Sequence, residues 1–260
     1  MQTTGVDLAQ QTKFQRLKLG FSKRYYRFMA FMHSPFVKDS GTDPYHQVFG
    51  HFIELGRAID APAVLELGSR NVSGITRQDV FPHRDKYVGF DIHPGDGVDV
   101  VGDCHRLSSY LPAGEFDLVY TVSVFEHLMF PWKVVLELNK VMKPGGYIFV
   151  STHPAWPTHE LPWDFFRYMA GGFQALFNEF TGFELVEVSE GMPCRAYALV
   201  DDAPARQVSN NVMNLCVAAI ARKTGNYRED LLRWDVDAAD VSDSMYPAAG
   251  GRVGSRPSDD

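Results

Sequence analysis

The sequence predicts an α/β protein with a doubly wound, mostly parallel sheet. Between residues 44 and 225, short apolar runs alternate with segments of helical periodicity, which is typical of a parallel sheet covered by helices on both faces. The runs AVLEL (63–67) and KYVGFD (86–91) flank a glycine-containing turn, which is typical of a βαβ unit. With 260 residues, 45% of them hydrophobic, the chain is long enough to bury one full core.

Each element is predicted from its own pattern. A helix is expected from Pro44 to Ile59, where apolar residues share one face, and another after Pro131, which suits a first helical turn. Lys143, Pro144 and Gly145 are expected to end the second helix. The predicted strands lie near 63–67, 86–91, 98–101, 116–121, 146–152, 183–189 and 213–222.

The distribution of charge divides the chain into three parts. Residues 8–38 contain seven Lys or Arg, no acid and many aromatic residues, which predicts a helical N-terminal cap or lid over residues 1–43. The alternative is a pair of ordinary amphipathic helices with solvated charges. Residues 226–260 hold eight acids against four arginines and few large apolar residues, which predicts an acidic, disordered tail. Residues 44–225 would form the catalytic domain.

Composition excludes several classes of function. A formal net charge of −7 argues against nucleic acid as the main partner, because phosphate binding needs a basic surface. No run of 18 apolar residues occurs, so we expect no membrane partner. The three cysteines Cys104, Cys194 and Cys216 form no C-x-x-C pair, which favours a reducing, cytoplasmic location. A small-molecule substrate fits this composition best.

The turn after the first predicted strand indicates a cofactor that carries a ribose. Asp91 lies 23 residues after Gly68, close to the spacing of about 20 at which a carboxylate meets ribose hydroxyls. Gly68 and Gly74 would let the backbone pass close under the ligand. Arg70 stands where a dinucleotide motif would place its second glycine, which weakens a nicotinamide interpretation. Glu66 suits a ligand that carries an ammonium group.

Three further segments follow the glycine turn and Asp91 in order along the chain: VVGDCHRL, which contains a third acid, FDLVYTVSVFEHL (116–128) and KPGGYIFVSTHP (143–154). Taken together in this order, these segments resemble the class I S-adenosylmethionine-dependent methyltransferases of the type 11 kind. The resemblance covers roughly residues 45–155. It implies a Rossmann-like sheet of seven strands with an antiparallel last strand, and S-adenosyl-L-methionine as cofactor. The cofactor-binding residues that it implies are Glu66, Gly68, Ser69, Arg70, Gly74, Asp91, Ile92, Asp103, Cys104, Val122 and His127.

Two of these residues have a structural alternative. In that alternative, Asp91 forms the turn ahead of Ile92 without contacting a ligand. Likewise, Asp103 serves as the N-cap of a helix that begins at His105.

The stretch STHPAWPTHELPWDFFRYM (151–169) is the main candidate for acceptor binding. A stiff, Pro-rich aromatic loop fixed to a sheet is where substrate residues are expected. The candidate substrate-binding residues are Tyr25, Tyr26, His153, Trp156, His159, Glu160, Trp163, Asp164 and Arg167. The alternative is that Trp156, Trp163 and Phe165 form a satellite core. Because H-x5-H-E is no recognised ligand spacing, we expect no metal.

The resemblance implies methyl transfer, and the loop favours the hydroxyl of a sugar or of another hydroxylated metabolite as acceptor. A hydroxyl needs a base, and histidine has a suitable pKa without tuning. The candidate bases are His153 and His127, with His159 third. Three alternatives stay open: methylation of nitrogen or carbon, a nicotinamide-dependent oxidoreductase, and a binding module without catalysis.

Overall fold

The computed structural model describes residues 13–33, 39–72, 74–208 and 210–241. Its contacts divide the chain into two units, residues 1–40 and 41–260. The first unit contains helix α1, Lys13–His33. From residue 20 onward its aromatic side chains are exposed, among them Tyr25 and Tyr26, whose rings meet edge to face with centroids 5.5 Å apart. The cap predicted over residues 1–43 stays a prediction.

The second unit contains the sheet. Its strands are β1 (Ala63–Leu67), β2 (Lys86–Asp91), β3 (Val100–Val101), β4 (Phe116–Val122), β5 (Met142–Thr152), β6 (Phe183–Cys194) and β7 (Met213–Lys223). Its α-helices are α2 (Pro44–Arg57), α3 (Pro131–Val141), α4 (Ala170–Leu176), α5 (Ala203–Val208) and α6 (Ala238–Val241). None of the helices in the described ranges is long and apolar enough to cross a bilayer.

The seven strands form one sheet in the order β3-β2-β1-β4-β5-β7-β6. Strands β1 to β5 pair in parallel, and β7 runs antiparallel to both β5 and β6. This confirms the predicted α/β fold with an antiparallel last strand. The strand order reverses between β1 and β4, and ligands of open α/β sheets bind outside the carboxyl ends of the strands at such a point.

Side chains of the buried strands alternate between two apolar layers. On β1, Val64 packs in the layer that holds Val48 and Phe52 of α2. The next residue, Leu65, packs in the layer that holds Val134 and other residues of α3. Because strand side chains point to opposite faces in turn, a central strand buried on both faces is apolar along its length. That explains the run AVLEL, in which Glu66 is the exception.

The helix starts follow the sequence signals. Asp43 accepts a hydrogen bond from the backbone N–H of Tyr45, at 3.1 Å, and Pro44 takes the first position of α2. Helix α3 begins at Pro131 and ends at Val141, just before the predicted stop.

Several predicted elements differ from the structure. Strand β5 begins at Met142 and so includes Pro144 and Gly145. Strand β3 is only two residues long. The predicted βαβ helix after β1 is wrong: the described residues between β1 and β2 form irregular chain and one 3₁₀ turn, Gln78–Val80.

The prediction of a disordered tail from residue 226 is wrong for residues 226–241. Trp234 packs on Phe130 and Trp132, with ring centroids 5.2 Å away in each case. Lys133 donates to the backbone carbonyl of Val236 at 3.0 Å. The aromatic surface formed by Phe130 and Trp132 at the start of α3 thus holds a segment whose composition is polar. Residues 242–260 lie outside the described residues.

Candidate active site

A cavity of about 300 Å³ opens at the carboxyl ends of β1, β2 and β4, where the strand order reverses. Its size falls at the lower end of small-molecule sites. The structure brings ten of the eleven predicted cofactor-binding residues into its wall: Glu66, Gly68, Ser69, Arg70, Asp91, Ile92, Asp103, Cys104, Val122 and His127. Gly74 stands apart, since it is exposed and lies outside the residues of the wall.

Glu66 supplies a buried acid in strand β1, one residue before its end. Its side chain accepts hydrogen bonds at Oε2 from the hydroxyls of Tyr87, at 2.6 Å, and Tyr120, at 2.8 Å. Burial raises the pKa of Glu66, and these two hydrogen bonds oppose the rise without cancelling it. The two tyrosines therefore fix the carboxyl group in place, while burial makes its negative charge costly until a cation meets it.

Asp91 ends strand β2 and holds the loop around it. Its Oδ1 accepts the backbone N–H of His93 at 2.9 Å, and its Oδ2 accepts that of Arg70 at 3.3 Å. The turn-forming role is thus present. It does not compete with ligand binding, because each carboxylate oxygen has a second lone pair and the residue lines the cavity.

Two donors beside Asp91 make no hydrogen bond to a described residue. Ser69 Oγ and Arg70 Nε are buried and make no hydrogen bond within the described part of the chain. The nearest charge to Arg70 Nε is Asp91 Oδ1, 3.7 Å away. Buried polar atoms are normally satisfied, so this wall is shaped for a ligand that carries hydrogen-bond acceptors.

Asp103 and Cys104 form the far wall. Asp103 Oδ1 accepts from the backbone N–H of His105 at 2.9 Å and lies 2.7 Å from its ring Nδ1, so the predicted capping role is present as well. Burial would raise the pKa of Asp103, but the bonds from His105 bring it below its ordinary value. Burial raises the pKa of the Cys104 thiol, which keeps it neutral.

The turn after β4 closes the cavity from the other side. Gly68 has φ +76°, and a Cβ there would lie 2.3 Å from Val124 Cγ2, so the position requires glycine both for conformation and for space. Ser123 lies in the wall and its Oγ is 3.3 Å from His153 Nε2. His153 therefore lies directly behind the wall.

Glu126 lies at the centre of a histidine cluster. Its side chain is fully buried, and Oε2 accepts the hydroxyl of Thr152 at 2.7 Å. Oε1 makes no hydrogen bond to any described residue, yet it lies 3.4 Å from His153 Nε2 and 4.0 Å from His127 Nε2. The sequence-based candidate site residues did not include Glu126, Ser123 or Thr152. The available signal was the acid-His pair immediately after the central strand.

The three candidate bases are each held through the same ring nitrogen. Nδ1 of each ring lies against a backbone carbonyl, which can only accept: His127 on Trp163 at 2.5 Å, His153 on Leu215 at 3.3 Å, and His159 on Pro157 at 3.1 Å. In the neutral ring Nε2 then carries the lone pair. Burial lowers the pKa of His153, more than the nearby Glu126 raises it, so this ring is neutral near pH 7.

The aromatic loop packs on this cluster. Trp156 stacks on His153 with centroids 4.6 Å apart and keeps 41% of its surface exposed, whereas Trp163 is buried and lines the cavity. His159 meets His127 edge to face at 4.7 Å. The backbone N–H of Tyr168 donates to the carbonyl of His153, which pins the far end of the loop. Glu160 is exposed.

Asp164 and Arg167 brace the loop. Arg167 binds both oxygens of Asp164, at 2.5 and 2.8 Å, and donates to the carbonyl of Trp156. Burial would raise the pKa of Asp164, but these bonds lower it to about 2. Since both side chains already satisfy each other, we assign them to loop structure instead of acceptor binding. Tyr25 and Tyr26 belong to the first unit, and their contact with an acceptor stays a prediction.

Comparison with known proteins identifies a matching domain family and similar folds. Residues 65–150 match the family model described as a methyltransferase domain. No curated protein matches the sequence. Three solved structures have a similar fold, each with a TM-score of 0.50. One is a complex between the Haloferax volcanii Trm112 methyltransferase activator and a methyltransferase, where 15% identity extends over 70% of this chain and 91% of the other.

The second is a Bacillus halodurans protein assigned as a methyltransferase, 15% identical over 68% of this chain and all of the other. The third is the YcgJ protein of Bacillus subtilis, 16% identical over 68% of this chain and 97% of the other. At these identities the likeness concerns the fold.

Proposed function

We propose that this S-adenosylmethionine-dependent methyltransferase, whose residues 65–150 match a methyltransferase domain, methylates a hydroxyl group of a small molecule such as a sugar. One observation carries the proposal: the proton-accepting atom of a buried, neutral histidine lies behind the cavity wall, beside a buried carboxylate. His153 Nε2 is 3.3 Å from Ser123 Oγ in the wall and 3.4 Å from Glu126 Oε1. A hydroxyl needs such a base, since it must lose its proton on methylation.

The residues of the cavity fit S-adenosylmethionine. The ligand has ribose hydroxyls and an ammonium group that donate, and the wall offers the carboxyl groups of Asp91 and Glu66. The ligand also has a carboxylate that accepts, and the wall offers Ser69 Oγ and Arg70 Nε, which make no hydrogen bond to a described residue. Donors and acceptors therefore match in kind.

When bound, S-adenosylmethionine supplies an electrophilic methyl group on its sulfonium. Because Ser123 lies in the wall and His153 lies behind it, the proton of the acceptor hydroxyl would reach His153 Nε2 through the Ser123 hydroxyl, 3.3 Å away. Transfer of this methyl group to the acceptor oxygen, with loss of the sulfur–carbon bond, would leave a methyl ether and a neutral thioether. Glu126 Oε1, 3.4 Å away, stabilises the positive ring that results, and the carbonyl of Leu215 holds the ring in place through Nδ1.

The exposed indole of Trp156 supports a sugar-like acceptor. It lies over His153 and presents an apolar ring beside the reacting group, which suits the C–H face of a sugar. Methylation of nitrogen or carbon is the main alternative for this site. The nicotinamide alternative is set aside by the methyltransferase match.

The test is methyl transfer with an isotopically labelled cofactor. The full chain is incubated with labelled S-adenosylmethionine and a panel of sugars and other polyols, each paired with an amino analogue in which one hydroxyl is replaced. We expect label in the hydroxyl compounds, located by mass spectrometry. Label in the amino analogues alone would contradict hydroxyl specificity. No transfer to the panel or to a small-metabolite extract, with cofactor binding intact, would favour the non-catalytic module.

The base is tested in the same assay. We expect His153→Ala to lower kcat by about 10²- to 10⁴-fold with the cofactor Kd nearly unchanged. His51→Ala is the matched control, because His51 lies on α2 and pairs with Glu187 at the surface. A fall of only a few-fold in His153→Ala would mean that proximity alone carries the reaction.

A further inference from the structure

The histidine cluster has too few donors for its acceptors. Glu126 Oε1 is fully buried and makes no hydrogen bond to a described residue, although Nε2 of His153 and of His127 face it. In the tautomer in which Nδ1 of each ring donates to its carbonyl, on Trp163 or Leu215, Nε2 carries a lone pair. Lone pairs that converge on a buried carboxylate oxygen repel one another unless a cation lies between them.

Three of these side chains lie close enough to share one ion. Each of Glu126, His127 and His159 has a ligand atom within 4.8 Å of the other two. Metal–ligand bonds of about 2.0–2.2 Å allow ligand atoms up to roughly 4.4 Å apart, so small side-chain rotations complete the site. Because His159 is partly exposed, an ion can reach the cluster from solvent.

The groups behind the ligands are those that metal sites use. Histidine ligands usually donate their second ring N–H to a backbone carbonyl or a carboxylate, which fixes the ring. His127 does so to Trp163, and His159 does so to Pro157, with Asp164 Oδ2 at 3.6 Å from the same nitrogen. The second oxygen of Glu126 is held by Thr152. Each ligand is therefore already oriented.

We propose that Glu126, His127 and His159 bind one divalent transition-metal ion, with Zn²⁺ as the best match to this donor set. Two histidines and one glutamate form a catalytic zinc set that leaves a coordination position open. The proposal departs from the expectation of no metal. That expectation considered spacing within one loop, whereas here the acid-His pair after β4 meets a histidine of the aromatic loop.

A second group, Asp103, Cys104 and His105, is a poorer candidate. Asp103 and His105 already satisfy each other at 2.7 Å, and His105 Nε2 accepts the backbone N–H of Phe130. Burial keeps the Cys104 thiol protonated, and metals bind the thiolate.

The site deepens the proposed function, and its catalytic role rests on that function. His127 is both a ligand and part of the cavity wall, so an acceptor in the cavity reaches the open coordination position. A hydroxyl oxygen held there would have a lowered pKa, and its proton would pass to His153 Nε2. This would select acceptors that carry oxygen near the reacting carbon.

Metal binding is tested directly, without acceptor or S-adenosylmethionine. The full chain is treated with a chelator, dialysed, and titrated with Zn²⁺ by calorimetry and with Co²⁺ by visible absorption, which reports the coordination geometry. We expect one ion per chain. His159→Ala and Glu126→Gln should each weaken binding by at least about 10-fold. His51→Ala, which changes a surface histidine, should bind as the unaltered chain does.

The results separate the two proposals. No binding of either ion, or equal affinity in His159→Ala, Glu126→Gln and the unaltered chain, overturns the metal site. Thermal melting shows whether each variant is folded, and His159→Ala is the safer one because its side chain is partly exposed. Hydroxyl methylation that persists after chelation removes the catalytic role and leaves the proposed function intact. Tight metal binding without hydroxyl methylation would support the metal site and reject the proposed hydroxyl methylation.

Discussion

Replacement of Asp91 tests the cofactor half of the site. Its carboxylate lies in the cavity wall at the end of β2 and is 8% exposed. It also accepts the backbone N–H groups of His93 and Arg70, so Asp91→Ala removes a ligand contact and a loop contact together. The two effects must be separated before a change in affinity can be interpreted.

The magnitude follows from the bonds that are lost. Hydrogen bonds to a charged group contribute roughly 1.5–3 kcal/mol, which corresponds to about a 10- to 150-fold rise in the Kd of S-adenosylmethionine. In Asp91→Asn an amide oxygen still accepts, so its Kd should lie between those of Asp91→Ala and the unaltered chain. The loop contribution appears in the ligand-free protein as a lower melting temperature.

Calorimetric titration with S-adenosylmethionine measures this affinity, and Asp99→Ala is the matched control. Asp99 Oδ2 accepts the backbone N–H of Gly89 at 2.8 Å, so it braces the same sheet edge, but it lies outside the cavity wall. We expect a lower melting temperature in both variants, but a higher Kd for S-adenosylmethionine only in Asp91→Ala. Unchanged affinity in a folded Asp91→Ala protein would refute the placement of the ribose and with it the register of the whole site.

Three further outcomes follow from the structure. Glu66→Gln keeps an acceptor for both tyrosine hydroxyls but has no charge to bury, so the melting temperature of the ligand-free protein should not fall near pH 7. The binding free energy of the cofactor should weaken by roughly 1.5–3 kcal/mol. Because the pKa of Glu66 is raised in the folded state, stability should fall as pH rises through that pKa, and this fall should vanish in Glu66→Gln. Trp234→Ala should cost about 1–2 kcal/mol, seen as a melting temperature lower by about 2–8 °C, whereas no change would mean that the packing of residues 226–241 on α3 contributes nothing. Deletion of residues 1–38 should abolish turnover but retain weak cofactor binding by calorimetry, and full activity would reject the lid.

The cofactor half of the site could be predicted because its signals are local. Asp91 ends β2 and Glu66 lies one residue before the end of β1, and parallel pairing brings these ends to one edge of the sheet: Glu66 pairs with Gly89, two residues before Asp91. The strand pattern therefore implies the proximity of the two acids. The missing helix after β1 did not disturb this, since the strands alone place the carboxyl groups.

The acceptor half could not be predicted in the same way. Asp164 and Arg167 have the composition of sugar ligands, but whether they face an acceptor or each other depends on the path of a Pro-rich loop. Glu126 gains its meaning only from Thr152, which follows it by 26 residues and lies on the neighbouring strand. Composition likewise misjudged residues 226–241, because one tryptophan that fits an aromatic face is enough to order a polar segment.

The two halves of the candidate site meet at Gly68, where the turn after β1 touches the turn after β4. Gly68 belongs to the cofactor turn, yet the nearest atom to a side chain placed there is Val124 Cγ2, in the turn that carries Ser123 and leads into the histidine cluster. The absence of a Cβ lets the two turns touch. The contact between the two turns therefore positions Ser123, which lies 3.3 Å from His153, relative to the predicted cofactor turn.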